Sequence, residues 1–110
     1  MGHEAKLLRI YTDEAAYFGD HKVFEVVATR ARAAKLAGVT VLQALFGSGR
    51  TTHVHRPHLF EDDQSLVVEI VDEDARLRAF VDSLSDVTGI GLMTLERVEI
   101  LGGEAAPPRA

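Results

Sequence analysis

Between residues 38 and 50 the chain reads GVTVLQALFGSGR, and the apolar positions Val39, Val41, Leu42, Leu45 and Phe46 leave neither side of a strand over 39–46 clearly polar. A strand of that kind meets protein on both faces. The helices of a small domain can cover one face, so the other predicts a second subunit. Gly38 stands just after a helical stretch, where a left-handed C-cap is easiest for glycine.

Two similar halves surround this strand. Leu8 and Ile10 alternate with Arg9 and Tyr11, which predicts a first strand over 7–12 that runs into a polar loop. Over 21–37, Phe24, Val27, Ala28 and Ala31 follow i, i+3, i+4, i+7 spacing, while Glu25, Arg30, Arg32 and Lys35 occupy the wet side. The pattern is that of an amphipathic helix, and its alanines make it slim enough to lie close to a sheet. A polar stretch over 47–65 then precedes LVVEIVD, a third strand rich in β-branched residues. A connection of such length in so small a domain points to function or to disorder. A second helix follows, with Asp72 as its cap, Glu73 and Asp74 at the positive end of the dipole, and Leu77, Phe80, Val81 and Leu84 as its buried stripe. TGIG, 88–91, predicts a turn, and 92–101 a fourth strand whose imperfect alternation fits a bulge or burial on both faces. The expected organisation is an extension over 1–5, one domain over 6–101 and a disordered tail over 102–110. The order β-α-β-β-α-β predicts an α+β, ferredoxin-like fold: a four-stranded antiparallel sheet with two helices on one face. Many unrelated functions use that fold, so it names no activity.

Composition narrows the classes. At 110 residues and 46% hydrophobic, the chain fits a single domain with a modest core. A formal charge of −5, with 12 scattered Lys and Arg, argues against nonspecific nucleic-acid binding, which needs clustered cations. With no cysteine there are no disulfides, thiolate nucleophiles or Cys-type zinc sites, which fits a reducing compartment and makes a cytoplasmic location the default expectation. No run approaches the roughly 20 apolar residues that span a bilayer, and residues 1–11 lack a signal-type apolar region. Neither membrane insertion nor export is expected.

Two stretches of the long loop carry candidate chemistry. Gly47, Ser48, Gly49 and Arg50, followed by two threonines, could cradle an anion: glycines let backbone N–H groups approach it, hydroxyls donate and Arg50 adds charge. The stretch lacks the G-K-[ST] of a Walker A loop, and the alternative is glycines that simply turn the chain. His53, His55 and His58 form H-x-H-x-x-H, a candidate ligand set for a divalent metal such as Zn²⁺, Ni²⁺ or Cu²⁺, which Glu61, Asp62 or Asp63 could complete. Arg50 and Arg56 nearby oppose a cation, and the alternative is a solvated loop whose histidines meet phosphate or a partner surface. Ser48 lacks the G-x-S-x-G spacing of a hydrolase elbow, so no enzyme is expected.

LLRIYTDE, GVTVLQALFGSG, SLVVEIVDE and GLMTLERVEI, which together span residues 6–101, resemble the PII-like signalling proteins, and most closely the branch catalogued as domain-of-unknown-function family 190. The resemblance implies a homotrimer of ferredoxin-like subunits with inward-facing sheets. It implies a small effector, often an adenine nucleotide, in clefts between subunits, and a long loop after the second strand that engages a protein target such as a transporter or enzyme. It requires no cofactor. It places Gly47 and Gly49 at the base of that loop, and Thr88 and Gly89 in the turn that approaches phosphate. One departure is plain: the family's turn lysine is missing, since Ile90, Gly91, Leu92 and Met93 follow Gly89 and no lysine occurs after Lys35. The paired arginines near the family's chain end are missing too, leaving Arg97 and Arg109.

Overall fold

The computed structural model describes residues 2–44 and 65–103. Its elements are β1 (His3–Asp13), β2 (Tyr17–Phe18), β3 (His21–Lys22), α1 (Val23–Ala33), β4 (Val39–Gln43), β5 (Ser65–Asp72), α2 (Asp74–Ser83) and β6 (Met93–Ile100). The main sheet runs β4-β5-β1-β6, with each neighbouring pair antiparallel. This is the expected split β-α-β arrangement: each half supplies a strand, a crossover helix and a second strand, and the halves interleave.

The core lies between one sheet face and the two helices. Leu8 and Ile10 of β1, Val68 and Ile70 of β5, Val23, Val27 and Ala31 of α1, and Leu77 and Phe80 of α2 are buried there, joined by Leu84. Alternation along β1 and β5 drives this: every second residue enters the core, and β5 reads buried and half-buried in strict turn from Leu66 to Asp72. The α1 stripe is rotated slightly from the one the periodicity suggests, with Val23 buried and Phe24 half-buried against the cluster.

Both helices stop and start differently from the sequence expectation. The left-handed residue that ends α1 is Lys35, at φ 61, not Gly38. Leu36 N–H donates to Ala31 O at 3.1 Å and Lys35 N–H to Arg32 O at 3.0 Å, the paired bonds of a Schellman motif, and they place Leu36 in the core. Burying Leu36 outweighs the strain of a lysine at positive φ. Gly38, at φ 50, makes a further reversal into β4. Asp72 is likewise not the N-cap residue of α2; Glu73 holds that position, with no side-chain capping bond to the helix. Asp72 ends β5, with 3% of its surface exposed, and accepts from Ala37 N–H at 2.9 Å, Glu73 N–H at 2.6 Å and Arg76 Nε at 3.2 Å. Arg76 in turn donates to the Ala34 and Lys35 carbonyls. One buried carboxylate therefore ties the end of α1 to the start of α2, and its charge is tolerated because its partners are in place.

The face of the sheet away from the helices is open. β4 is exposed on both sides, with Val41 at 38% and Leu42 at 45%. Leu7, Arg9 and Tyr11 of β1 and Val67, Glu69 and Val71 of β5 are half-buried on that face. Arg9 donates from Nε to Glu69 at 3.0 Å and from Nη1 to Glu96 at 2.6 Å, making a row of alternating charge across β5, β1 and β6.

Candidate functional site

The chain brings its loops together at one end of the sheet. β1 ends there at Asp13, β4 leaves at Ala44, β5 enters at Ser65, and β6 enters after the 88–92 connection. Ala44 N–H donates to Ser65 O at 2.9 Å, so the two ends of the 45–64 segment are held side by side. Gly47, Ser48, Gly49, Arg50, His53, His55 and His58 lie outside the described residues. Among the described residues, no group of three or more His, Asp or Glu is placed to hold a metal ion.

Thr88 and Gly89 lie at this end too, and the turn that carries them is firmly built. Thr12 Oγ1, on a buried residue, donates to Gly89 O at 2.9 Å. Tyr11 N–H donates to Leu92 O at 2.9 Å and Gly91 N–H to Tyr11 O at 2.7 Å, so two residues face one as in a β-bulge. This step lies just ahead of the last strand, which is in unbroken register with β1 from Met93 to Ile100 and carries half-buried residues on both faces, the second of the two expected reasons for its imperfect alternation. Gly89 is required twice over: its φ is 90, and a Cβ there would sit 2.8 Å from Val23 Cγ2 and 3.3 Å from Ala16 Cβ. Thr88 and Gly89 are themselves exposed.

Beside the turn stands a feature that the sequence reading misses, taking its first strand as loop and its second as the start of the helix: the β2–β3 hairpin. Tyr17 pairs with Lys22 and Phe18 with His21 around Gly19, at φ 66, and Asp20. A Gly-Asp pair between Tyr-Phe and His-Lys was the available signal. The hairpin delivers α1 against the turn, since Val23 N–H donates to Ala16 O at 2.9 Å. Lys22, the residue before that contact, bonds Glu14 at 3.2 Å and lies 5.9 Å from the Tyr17 ring centroid. The Glu14 carboxylate raises the Lys22 ammonium above its ordinary value, so it stays charged.

Thr88 and Gly89 adjoin β1 and β6, whereas the 45–64 segment leaves from β4. In the order β4-β5-β1-β6 those strands are the two edges, three strand spacings or about 14 Å apart. The flanks of the 45–64 segment, on β4 and β5, and the 88–92 connection into β6 thus share one end of the sheet. A separate open groove of about 370 Å³ lies between α2 and β6, lined by Leu8, Val81, Met93 and Leu95 with Arg78 and Asp82 at its rim. No described helix is long and apolar enough to cross a membrane.

The comparisons with known proteins agree with this architecture. A UPF0166 protein of Aquifex aeolicus strain VF5 is 37% identical over 98 residues, covering 87% of this chain and 92% of that protein. Among solved structures, the fold is similar to CPII, a nitrogen regulatory PII-like protein of Thiomonas intermedia K12. Its form bound to ADP, AMP and bicarbonate superposes with TM-score 0.64 at 13% identity, covering 94% of this chain and all of that one. The apo form gives 0.60 at 15%, covering 91% and 95%. The model of the DUF190 family, described as Uncharacterized ACR, matches residues 5–100. With nearly the whole domain matched and a PII-like sheet and helices beneath it, the chain belongs to the DUF190 family.

Proposed function

We propose that the chain is a non-enzymatic PII-like regulator that assembles as a homotrimer and binds a small anionic effector, an adenine nucleotide foremost, in clefts between subunits. In this reading Gly47, Ser48, Gly49 and Arg50 of one copy and Thr88 and Gly89 of the next contact the effector. The 47–65 stretch then reports occupancy to a protein target such as a transporter or enzyme. The observation that carries it is topological: the 45–64 stretch, which joins β4 to β5, and the 88–92 connection into β6 meet the sheet at the same end. A ring contact that sets one copy's β4 edge beside its neighbour's β6 edge would bring them together. The open sheet face and the doubly exposed β4 support the same assembly.

Among the similar structures, CPII is bound to ADP, AMP and bicarbonate. At 13% identity that likeness is one of fold, and the ligands serve to choose probes. The turn lacks a lysine, so charge on the effector falls to Arg50 and to backbone N–H groups. Effector binding shifts the loop population only as far as it favours one conformer over another. Titration calorimetry with adenine nucleotides, cyclic dinucleotides and bicarbonate tests the reading. One member of the panel should bind, and Arg50→Ala should weaken it by roughly tenfold or more, the loss of one charge-assisted contact. Silence across the whole panel overturns the effector assignment.

A further inference from the structure

The open sheet face mixes apolar and neutral polar side chains around one charged feature at its centre. Arg9 of β1 lies directly across from Glu69 of β5 and bonds it at 3.0 Å, while its other arm bonds Glu96 of β6 at 2.6 Å. The side chains are 32%, 27% and 52% exposed, so the row is half-dry and Glu96 is its wettest member. Leu7, Tyr11, Val67 and Val71 flank it along β1 and β5, Thr40 lies across from Glu69 on β4, and Thr94 and Val98 stand on either side of Glu96 on β6. His3 and Asp13 are the remaining titratable groups on this face, at opposite ends of β1, with Tyr11 two residues from Arg9. The row therefore carries two negative charges and one positive, and Arg9 is the only lysine or arginine on this face among the described residues.

Four strands at ~4.8 Å spacing and eight residues at ~3.3 Å rise make a face of about 500 Å². Three copies turning this face inward would together remove as much as about 1,500 Å² from water, above the level at which a specific interface becomes sustainable. A second copy is the occupant that suits such a flat, self-similar surface, and the argument here rests on the self-assembly reading above. Closing the face dries the row, and a row with a net charge of −1 is then left without a counter-charge.

We propose that self-association through this face is proton-linked, each copy taking up as much as one proton on the Glu69–Arg9–Glu96 row, with Glu96 the receiving carboxylate. Drying disfavours the charged carboxylate, so its proton affinity is higher in the assembly than in the separate subunit. A group raised in this way stabilises the assembly at low pH, and that contribution is lost as pH rises through the raised value. Association therefore tightens on acidification.

Sedimentation equilibrium at pH 8.5 and pH 6 tests this, with the urea midpoint of dissociation as the readout if the assembly persists at the lowest concentration. The wild-type chain should associate about tenfold or more tightly at pH 6, with Glu96→Gln tight and nearly flat across the range. Glu69→Gln, on the other carboxylate, should shift in the same direction. Glu25→Gln on α1 alters the overall charge equally and should keep the wild-type profile, which separates the row from general repulsion. A flat wild-type profile, a Glu96→Gln variant weaker than wild type at pH 8.5, or a Glu25→Gln variant that also flattens, overturns the proton linkage while leaving assembly itself standing. A chain that stays a lone subunit under every condition overturns the assembly reading and this inference with it.

Discussion

Gly89 shows how much one residue's identity can depend on neighbours far away in sequence. Its positive φ alone favours glycine, but the tighter constraint is Val23 Cγ2, 2.8 Å from where a Cβ would stand. Gly89→Ala should therefore destabilise the chain by about 1–3 kcal/mol, combining backbone strain with a forced shift of α1. Gly91→Ala should cost less, since its Cβ would meet Tyr11 O at 3.2 Å at a φ that other residues adopt. Urea unfolding of both variants checks the ranking, and adding Val23→Ala to Gly89→Ala should return part of the loss. At this scale the sequence was partly legible. Gly89 stood out as a turn glycine, but nothing local says that α1 backs it. Lys35 and Asp72 were misread for the same reason. A left-handed lysine and a buried aspartate make sense only once Leu36 is in the core and Ala37 N–H lies across from β5.

Elements were more legible than residues, because burial alternates by physics that short windows capture. The two strands at the centre, β5 and β1, and the stripe of α2 followed their periodicity directly. The β2–β3 hairpin was passed over because two-residue strands leave almost no pattern to read. How the helices lock to each other was also invisible, since it depends on pairs 35 to 56 residues apart. Arg30 of α1 donates to both oxygens of Asp86, at 2.8 and 3.0 Å, and to Ser83 O at 3.0 Å, joining α1 to the end of α2. The Arg30 guanidinium holds the Asp86 carboxyl below the usual carboxylate value. A carboxyl lowered on folding adds stability above its unfolded value and loses it as pH falls through the folded one. Acidification from about pH 5 downward should thus weaken the wild-type chain. Arg30→Gln should make that acid slope shallower while lowering the midpoint at every pH through the lost Ser83 bond. The slope that remains should come from Asp74, held low by Lys6 and then Arg78. Urea midpoints between pH 6 and pH 3 for both chains provide the check.

For the molecule as a whole, the open sheet face and the exposed β4 are the features that ask for partners. Leu42 is 45% exposed on that face, at the edge strand, and touches no buried cluster. Leu42→Asp should leave the urea stability of the isolated subunit within about 0.5 kcal/mol, as surface changes do. In the assembly the same carboxylate would be buried unpaired, so sedimentation should show the variant dissociating at concentrations where the wild type does not. Equal association of the two chains would mean that this edge remains in solvent. The apolar character of 39–46 made an uncovered face legible from sequence alone, but that the flanks of the 45–64 stretch and the 88–92 connection share one end of the sheet became visible only from the strand order.

The Ala44-to-Ser65 bond at the mouth of the 45–64 stretch also has a practical consequence. Because those flanks already sit as near as the legs of a hairpin, a short Asn-Gly link could replace everything between them without moving a strand. The resulting miniature would keep the scaffold without the 45–64 stretch, giving a matched blank against which the proposed effector and target roles can be assayed.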